Sequence, residues 1–162
     1  MQKSKKNQHQ TIVCGGSFRR LEGDENIVSE IRFKGKIIYL PDAGKFWIPT
    51  AKVELISEER KYFCEMLVDS GADITLIRKS LGKFLGFSFD GKRIQEIRGI
   101  GAGTIPYVIE KIEIKIGEYK FETRIGISMV ENIPLILGRL DVFNNFDIEF
   151  KQKTGITIFR KA

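Results

Sequence analysis

An apolar strand that leads directly into Asp69-Ser70-Gly71 constrains this chain more than any other feature of its sequence. One carboxylate at a strand end is a weak acid–base device, whereas two facing carboxylates share a proton and can activate a water molecule between them. The 162 residues contain no second Asp-Ser-Gly and no Asp-Thr-Gly. The motif therefore predicts a site that only another copy of the chain can complete.

The composition favours one β-rich domain. Hydrophobic residues make up 42% of the chain, 12 residues are Phe, and 16 Gly interrupt the sequence at short intervals. Such a profile is typical of short strands joined by turns. A chain of 162 residues is long enough for one core domain with an extension and short for two full domains.

Cysteine and histidine are too few for several kinds of site. Cys14 and Cys64 are far apart in the sequence, and His9, the single histidine, lies in a polar run. This pattern argues against a disulfide framework, a zinc site, and Ser-His or Cys-His catalysis. We therefore expect no metal and no cofactor.

Charge and hydropathy bear on the choice of partners. Lys and Arg number 27 against 21 Asp and Glu, and much of the excess lies near the two ends, which favours a solvated surface. A nucleic-acid-binding appendage is a further interpretation, but no aromatic-basic motif supports it, so we do not expect nucleic acid as a partner. With no signal-peptide core and no apolar run of 18 residues, we expect no membrane association and a cytoplasmic location.

Apolar–polar alternation and glycine-marked turns predict the order of elements. The first ten or so residues are polar and expected to be flexible, and a hairpin is predicted over Ile31 to Leu40. A second hairpin, with strands over Ala51 to Leu55 and Tyr62 to Val68, delivers Asp69. Beyond it we predict a helical turn over Arg78 to Leu85, a glycine-rich hairpin with arms Ile94 to Ile97 and Ile105 to Ile109, strands over Lys111 to Ile116, Tyr119 to Ile127, Phe146 to Phe150 and Gly155 to Phe159, and a short helix over Leu140 to Asn145.

Three segments in fixed order resemble the retropepsin-like aspartic proteases, which have a single lobe and work as homodimers. These segments are Asp69-Ser70-Gly71-Ala72-Asp73, the glycine-rich tip at 99–103, and Ile136-Leu137-Gly138-Arg139. The resemblance covers residues from about 46 to 150. It implies a mainly β, single-lobe acid-protease closed β-barrel with one short helix, which we place at 46–162 with an extra C-terminal strand. Residues 1–45 would form an N-terminal extension, partly β.

The resemblance also implies an activity. Two Asp69 side chains, one from each subunit of a homodimer, would activate water for cleavage of an extended peptide, as in an aspartic endopeptidase. Ser70 would hydrogen-bond across the dimer, and Gly71 would let substrate approach the backbone. The alternative is a weak or inactive protease-like dimer that serves as a peptide-binding or assembly module.

Further site residues follow from the same resemblance. Asp73 and Arg139 would form a largely buried ion pair beside Gly138 that supports the loop, so that mutation of either charged residue should destabilise strongly. Ile74 is a candidate pocket wall. The residues expected to contact substrate are Ala72, Asp73, Ile97, Gly99, Ile100, Gly101, Ala102, Pro134 and Ile136, of which 99–102 form the tip of a flap.

The ends of the chain depart from the small viral members of that family, which interleave short terminal strands to form the dimer. Here about 45 residues precede the core and about twelve follow it. We expect either Gly155 to Phe159 or the Ile31 to Leu40 hairpin to supply replacement strands for the interface.

Overall fold

The computed structural model describes residues 30–98 and 103–162, and the backbone of Ser17–Arg19. The predictions for the polar N-terminus, Cys14, His9 and the hairpin tip at 99–102 lie outside these residues. The described strands are β1 Ser17–Arg19, β2 Glu30–Lys34, β3 Lys36–Leu40, β4 Gly44–Ile48, β5 Thr50–Ile56, β6 Lys61–Val68, β7 Thr75–Ile77, β8 Gln95–Arg98, β9 Thr104–Ile116, β10 Tyr119–Ser128, β11 Ile136–Leu137, β12 Phe146–Lys151 and β13 Ile156–Lys161, and the helix is α1 Lys79–Phe84.

Six strands close into a barrel. Hydrogen bonding runs in the order β10-β7-β11-β6-β5-β9, and β9 pairs again with β10 to complete the circle, while β8 extends the sheet beside β9. Closure removes the unpaired edges that an open sheet would expose. The predicted mainly β closed barrel is confirmed.

The barrel interior explains why apolar and polar residues alternate along its strands. Val53 and Leu55 of β5 face inward with Ile114 and Ile116 of β9 and Ile125 of β10, and each is at most 1% exposed. Burial of one such aliphatic side chain stabilises the fold by about 1.5–3 kcal/mol before conformational entropy is counted. The predicted arm Ile105 to Ile109 and the predicted strand Lys111 to Ile116 are parts of one strand, because β9 runs unbroken from Thr104 to Ile116.

The predicted helical turn after β7 is confirmed as α1, which packs against β10. Gly82 lies against β10, where an added Cβ would come within 2.5 Å of the Ile127 side chain. The first turn of α1 has no side-chain cap at Arg78; instead the Ser80 backbone N–H donates to the Glu131 carboxylate at 2.8 Å. A distant acidic residue therefore satisfies one of the free amides at the helix start.

The second predicted helix, over Leu140 to Asn145, is wrong. This segment is a series of turns, with the Phe143 N–H donating to the Arg139 carbonyl and the Asn145 N–H to the Val142 carbonyl. Asp141 adopts φ 62°, a left-handed conformation that a right-handed helix cannot include. Its carboxylate is held by Arg124, which stabilises this unusual backbone from outside the segment.

A separate four-stranded sheet has the order β1-β2-β13-β12. Ile31 of β2 opposes Phe159 of β13, and the rings of Phe33, Phe159 and Phe146 meet edge to face at 5.4 and 5.5 Å. Both edges of β13 are paired within the chain. It therefore has no free edge for the interface pairing considered for Gly155 to Phe159.

The predicted hairpin over Ile31 to Leu40 is also wrong. β2 pairs with β1 and β13, whereas β3 pairs with β4 in a two-stranded sheet of its own. Gly35 alone separates β2 from β3, which is one residue short of the tightest usual hairpin loop. Its N–H donates to the Gly155 carbonyl at 3.1 Å, so the chain passes from one sheet to the other at this glycine.

Candidate active site

Asp69 follows the last residue of β6, and the end of this strand is held by two neighbouring segments. The Leu67 and Asp69 N–H groups donate to the Leu135 and Leu137 carbonyls, at 2.9 and 3.1 Å, along the parallel pairing with β11. The intervening Val68 N–H donates to the Pro49 carbonyl on the other side, at 3.0 Å. The backbone that carries the carboxylate is therefore fixed from both directions.

The Asp-Ser-Gly triplet forms a tight turn. The Gly71 N–H donates to Oδ1 of Asp69 at 2.9 Å, and the Ala72 N–H donates to the Asp69 carbonyl at 3.3 Å. Asp69 is half-buried, while Ser70 and Gly71 are exposed. The turn thus orients one oxygen of the carboxylate and leaves its own outer surface open.

The segment after β11 braces this turn through its backbone. The Arg139 and Leu140 N–H groups donate to the Ala72 and Asp73 carbonyls, both at 2.9 Å. The Gly138 N–H donates to Oγ1 of the buried Thr75 at 3.1 Å. The two parts of the predicted constellation are therefore in direct contact, although more than 60 residues separate them in sequence.

Gly138 is required by packing. An added Cβ would lie 2.4 Å from both the carbonyl carbon and the oxygen of Ile74, which are backbone atoms that cannot rotate away. The close approach of the two segments therefore depends on the absence of a side chain at 138.

Asp73 and Arg139 form the predicted ion pair, but the expectation that it is largely buried is wrong for the single chain. Nη2 of Arg139 lies 2.7 Å from Oδ1 of Asp73, and the side chains are 56% and 88% exposed. The pair lies on the outer side of the turn, where no described segment covers it. The strong destabilisation expected on mutation assumed burial and does not follow from this geometry.

A small apolar cluster, separate from the barrel core, gathers several of the predicted substrate contacts. Its buried members are Ile74, Leu76 and Tyr107, and the partly buried side chains that pack against them are Ile97, Ile133, Ile136 and Leu140. Pro134 is exposed. The role of these residues in substrate binding stays a prediction.

Tyr107 is a member of this cluster that sequence analysis missed. It is 9% exposed, and its hydroxyl donates to Oε1 of Gln95 at 3.1 Å, across the β8–β9 pair. The sequence feature that could have indicated Tyr107 was an aromatic residue shortly after a glycine-rich segment. Its use required the pairing register, which a single sequence does not provide.

Cys64 does not have the properties of a nucleophile. Burial raises the pKa of its thiol to about 12, and the nearby positive charge of Arg78 only partly opposes this. The thiolate is the reactive form, so the group is inert at neutral pH. Within the described residues, no three potential ligands among His, Cys, Asp and Glu lie together as a metal site, and no helix is long and apolar enough to cross a membrane.

Comparisons with known proteins place the chain in a family. The model of the retroviral aspartyl protease family matches residues 48–150. Among solved structures, a retropepsin-like aspartic protease from Rickettsia conorii matches with a TM-score of 0.54 and 14% identity, over 85% of this chain and 97% of that one. The EIAV protease complexed with the inhibitor HBY-793 matches with a TM-score of 0.42 and 23% identity, over 57% of this chain and 82% of that one. No curated protein sequence matches.

The match to the family model identifies the family, and the match to a solved structure supports the fold. The family model spans more than half of the chain, including Asp69 and Gly138. The Rickettsia conorii structure is similar over nearly its whole length, which supports the fold. The chain therefore belongs to the retroviral aspartyl protease family and has a retropepsin-like fold.

Proposed function

We propose that the chain is an aspartic endopeptidase that is active as a homodimer. The observation that carries this proposal is the placement of Asp69 at the end of β6, with one carboxylate oxygen oriented by the Gly71 N–H at 2.9 Å and the turn open on its outer side. The chain contains no second Asp-Ser-Gly or Asp-Thr-Gly. A second copy, related by a two-fold axis, supplies the other carboxylate.

The chemistry follows from two like charges at close range. Two Asp69 carboxylates about 3 Å apart cannot both ionise cheaply, so the pair holds one proton. The ionised member accepts a proton from a water molecule as the water attacks the scissile carbonyl carbon. The protonated member polarises the carbonyl oxygen, and a proton then passes to the leaving amine nitrogen as the C–N bond breaks.

The substrate is proposed to be an extended peptide with apolar side chains near the cleaved bond. An extended segment can bond through its main chain as an added strand, with alternate side chains in pockets on either side. The apolar cluster of Ile74, Ile97 and Ile136 supports a preference for aliphatic or aromatic side chains. The exposed Asp69 turn leaves room for the peptide.

Parallel digestion of a peptide library by the wild type and by Asp69→Asn tests the proposal across pH 4 to 7. The wild type should cleave a restricted set of apolar-flanked bonds, and the variant should lose at least about 1,000-fold in rate while keeping the wild-type sedimentation coefficient. Equal cleavage by both proteins would remove Asp69 from the mechanism. Binding of peptides by the wild type without cleavage would overturn the enzymatic function.

A further inference from the structure

Within the described residues, the β3–β4 hairpin is an isolated pair of strands. Its register pairs Ile37 with Trp47 and Ile38 with Phe46, and neither β3 nor β4 pairs with any other described strand. An isolated two-stranded hairpin is only marginally stable in water and needs a packed face to persist.

Both faces of this hairpin are apolar and open. Ile37 and Tyr39 lie on the face that carries Trp47, and they are 46% and 77% exposed. Leu40 and Phe46 lie on the opposite face, and they are 41% and 50% exposed. These four are among eleven large hydrophobic side chains that are exposed in the described residues. Such a concentration on one short element marks an interaction surface.

The base of the hairpin is fixed firmly to the body of the chain. Trp47 is 8% exposed and fills the space beside Gly35 and Gly155, where an added Cβ at Gly35 would lie 2.2 Å from its indole nitrogen. Nζ of Lys36 lies 2.8 Å from Oε2 of Glu65 on β6. The orientation of the arm is therefore set at its base, while its outer part is uncovered.

This base lies beside the active-site strand. Pro49 directly follows β4, and its carbonyl accepts the N–H of Val68, the residue before Asp69. Thr50 opposes Leu67 in the β5–β6 register, and its hydroxyl donates to Glu65. Burial raises the pKa of Glu65, but the hydrogen bonds from Lys36 and Thr50 outweigh it, and the net pKa is lowered. The base of the hairpin therefore lies one backbone hydrogen bond from the residue before Asp69, on the part of the chain to which a second copy must bring its own Asp69.

We infer that the β3–β4 hairpin is a dimerisation arm, which packs its exposed apolar side chains against a second copy of this chain. The inference rests on the proposed function, because a site that needs two Asp69 residues places two such arms around one axis. A symmetric contact buries the same surface on both copies, and an arm that inserts into the partner is covered on both faces, with Tyr39 on one and Phe46 on the other. The arm thereby gains the packed face that it lacks in the single chain.

Sedimentation velocity of the full chain between 0.1 and 100 µM tests this arm. The double variant Tyr39→Ser/Phe46→Ser should raise the dimer dissociation constant by on the order of 100-fold or more, because two central aromatic contacts are removed. The matched control is Phe63→Ser, since Phe63 lies on β6 and is 73% exposed. It should change the constant less than about two-fold.

Two results would contradict the inference that the hairpin is a dimerisation arm without contradicting the proposed function. One is an active wild-type dimer whose dissociation constant is unchanged in the double variant. The other is equal protection of the 36–48 amides in hydrogen–deuterium exchange at 0.1 and 100 µM, which would mean that the arm is covered within one chain. The exchange measurement uses the wild type and so does not depend on the variant folding.

The two hypotheses fail separately because dimerisation is measured without substrate. A wild-type dimer that the double variant weakens, but that cleaves no peptide, would refute the peptidase function and support the arm. A wild-type chain that remains monomeric at 100 µM and cleaves peptides would refute both the arm and the paired-carboxylate mechanism.

Discussion

The guanidinium of Arg139 lies 2.7 Å from the carboxylate of Asp73, yet both side chains are more than half exposed in the single chain. A pair on an open surface keeps most of its hydration, and solvent screens the attraction between its charges. The backbone bonds from Arg139 and Leu140 to Ala72 and Asp73 lie in the same contact. We therefore assign the bracing of the Asp69 turn chiefly to the backbone.

Arg139→Gln should lower the free energy of unfolding of the monomer by less than about 1 kcal/mol. Urea unfolding at a concentration below the dimer dissociation constant measures this, with Lys111→Gln as a control, since Lys111 forms an exposed pair with Glu122. A loss of about 3 kcal/mol would mean that the pair is buried in the monomer, against the geometry described above.

Gly138→Ala should destabilise the fold by about 1–3 kcal/mol, because the new methyl group meets backbone atoms of Ile74 at 2.4 Å. Gly103→Ala is the matched control: it introduces the same methyl group at an exposed position with no atom within 4 Å of the added carbon. Its effect should remain within about 0.5 kcal/mol. Thermal unfolding compares the two, and equal stability would show that the loop after β11 can move away from β7.

Two buried threonines should respond in opposite ways to replacement by valine. Oγ1 of Thr75 accepts the Gly138 N–H, so Thr75→Val leaves a buried donor without a partner and should cost about 1–3 kcal/mol. Oγ1 of Thr157 is buried with no hydrogen-bond partner among the described residues, so Thr157→Val should be neutral or stabilising. Chemical denaturation of both variants tests the contrast, and a reversed order would contradict these hydrogen-bond assignments.

Asp141 should make stability depend on pH in the acidic range. Side-chain hydrogen bonds from Arg124 lower the pKa of Asp141 despite its partial burial. A lowered pKa means that the folded state favours the ionised form of Asp141. The contribution of Asp141 to the free energy of unfolding is therefore complete when the pH is above the usual Asp pKa of about 3.9. It is lost as the pH falls from there through the lowered pKa.

Thermal unfolding of Asp141→Asn beside the wild type tests this dependence. The difference in melting temperature should be constant between pH 7 and about 5 and shrink below about pH 4. Asp90→Asn serves as the control, because Asp90 forms no ion pair within the described residues. A difference for Asp141→Asn that grows as the pH falls would contradict the sign.

A strand could be predicted from sequence where its apolar–polar pattern agrees with its burial in the fold. β5 alternates in sequence because Val53 and Leu55 face the barrel interior, and Asp69 follows β6 because that strand ends at Val68. The errors arose where a distant residue decides the local structure. Arg124 holds Asp141 in a conformation that ends the predicted helix, and Trp47 and Gly155 meet Gly35 where a hairpin turn was predicted.

The residues of the candidate site also divide into those that the sequence predicts and those that it does not. Asp69, Gly138 and Arg139 could be named because each belongs to a short segment with a recognisable composition. Tyr107 and Thr75 could not, since their importance comes from partners 12 and 63 residues away in the chain. The exposure of the Asp73–Arg139 pair depends on which segments cover the turn, and a linear pattern does not contain that information.

The pairing of β2 with β13 has a consequence for how the protein is made. β2 spans Glu30–Lys34 and its partner spans Ile156–Lys161, so more than 120 residues separate two adjacent strands. Pairing across such a distance carries a large loop-closure entropy and slows folding. During translation β2 must wait, with one edge open, until residues 156–161 have left the ribosome. The sheet therefore forms late in biosynthesis. A nascent chain that stalls before β13 exposes the unpaired N–H and C=O groups of β2, which can pair with other chains and lead to aggregation.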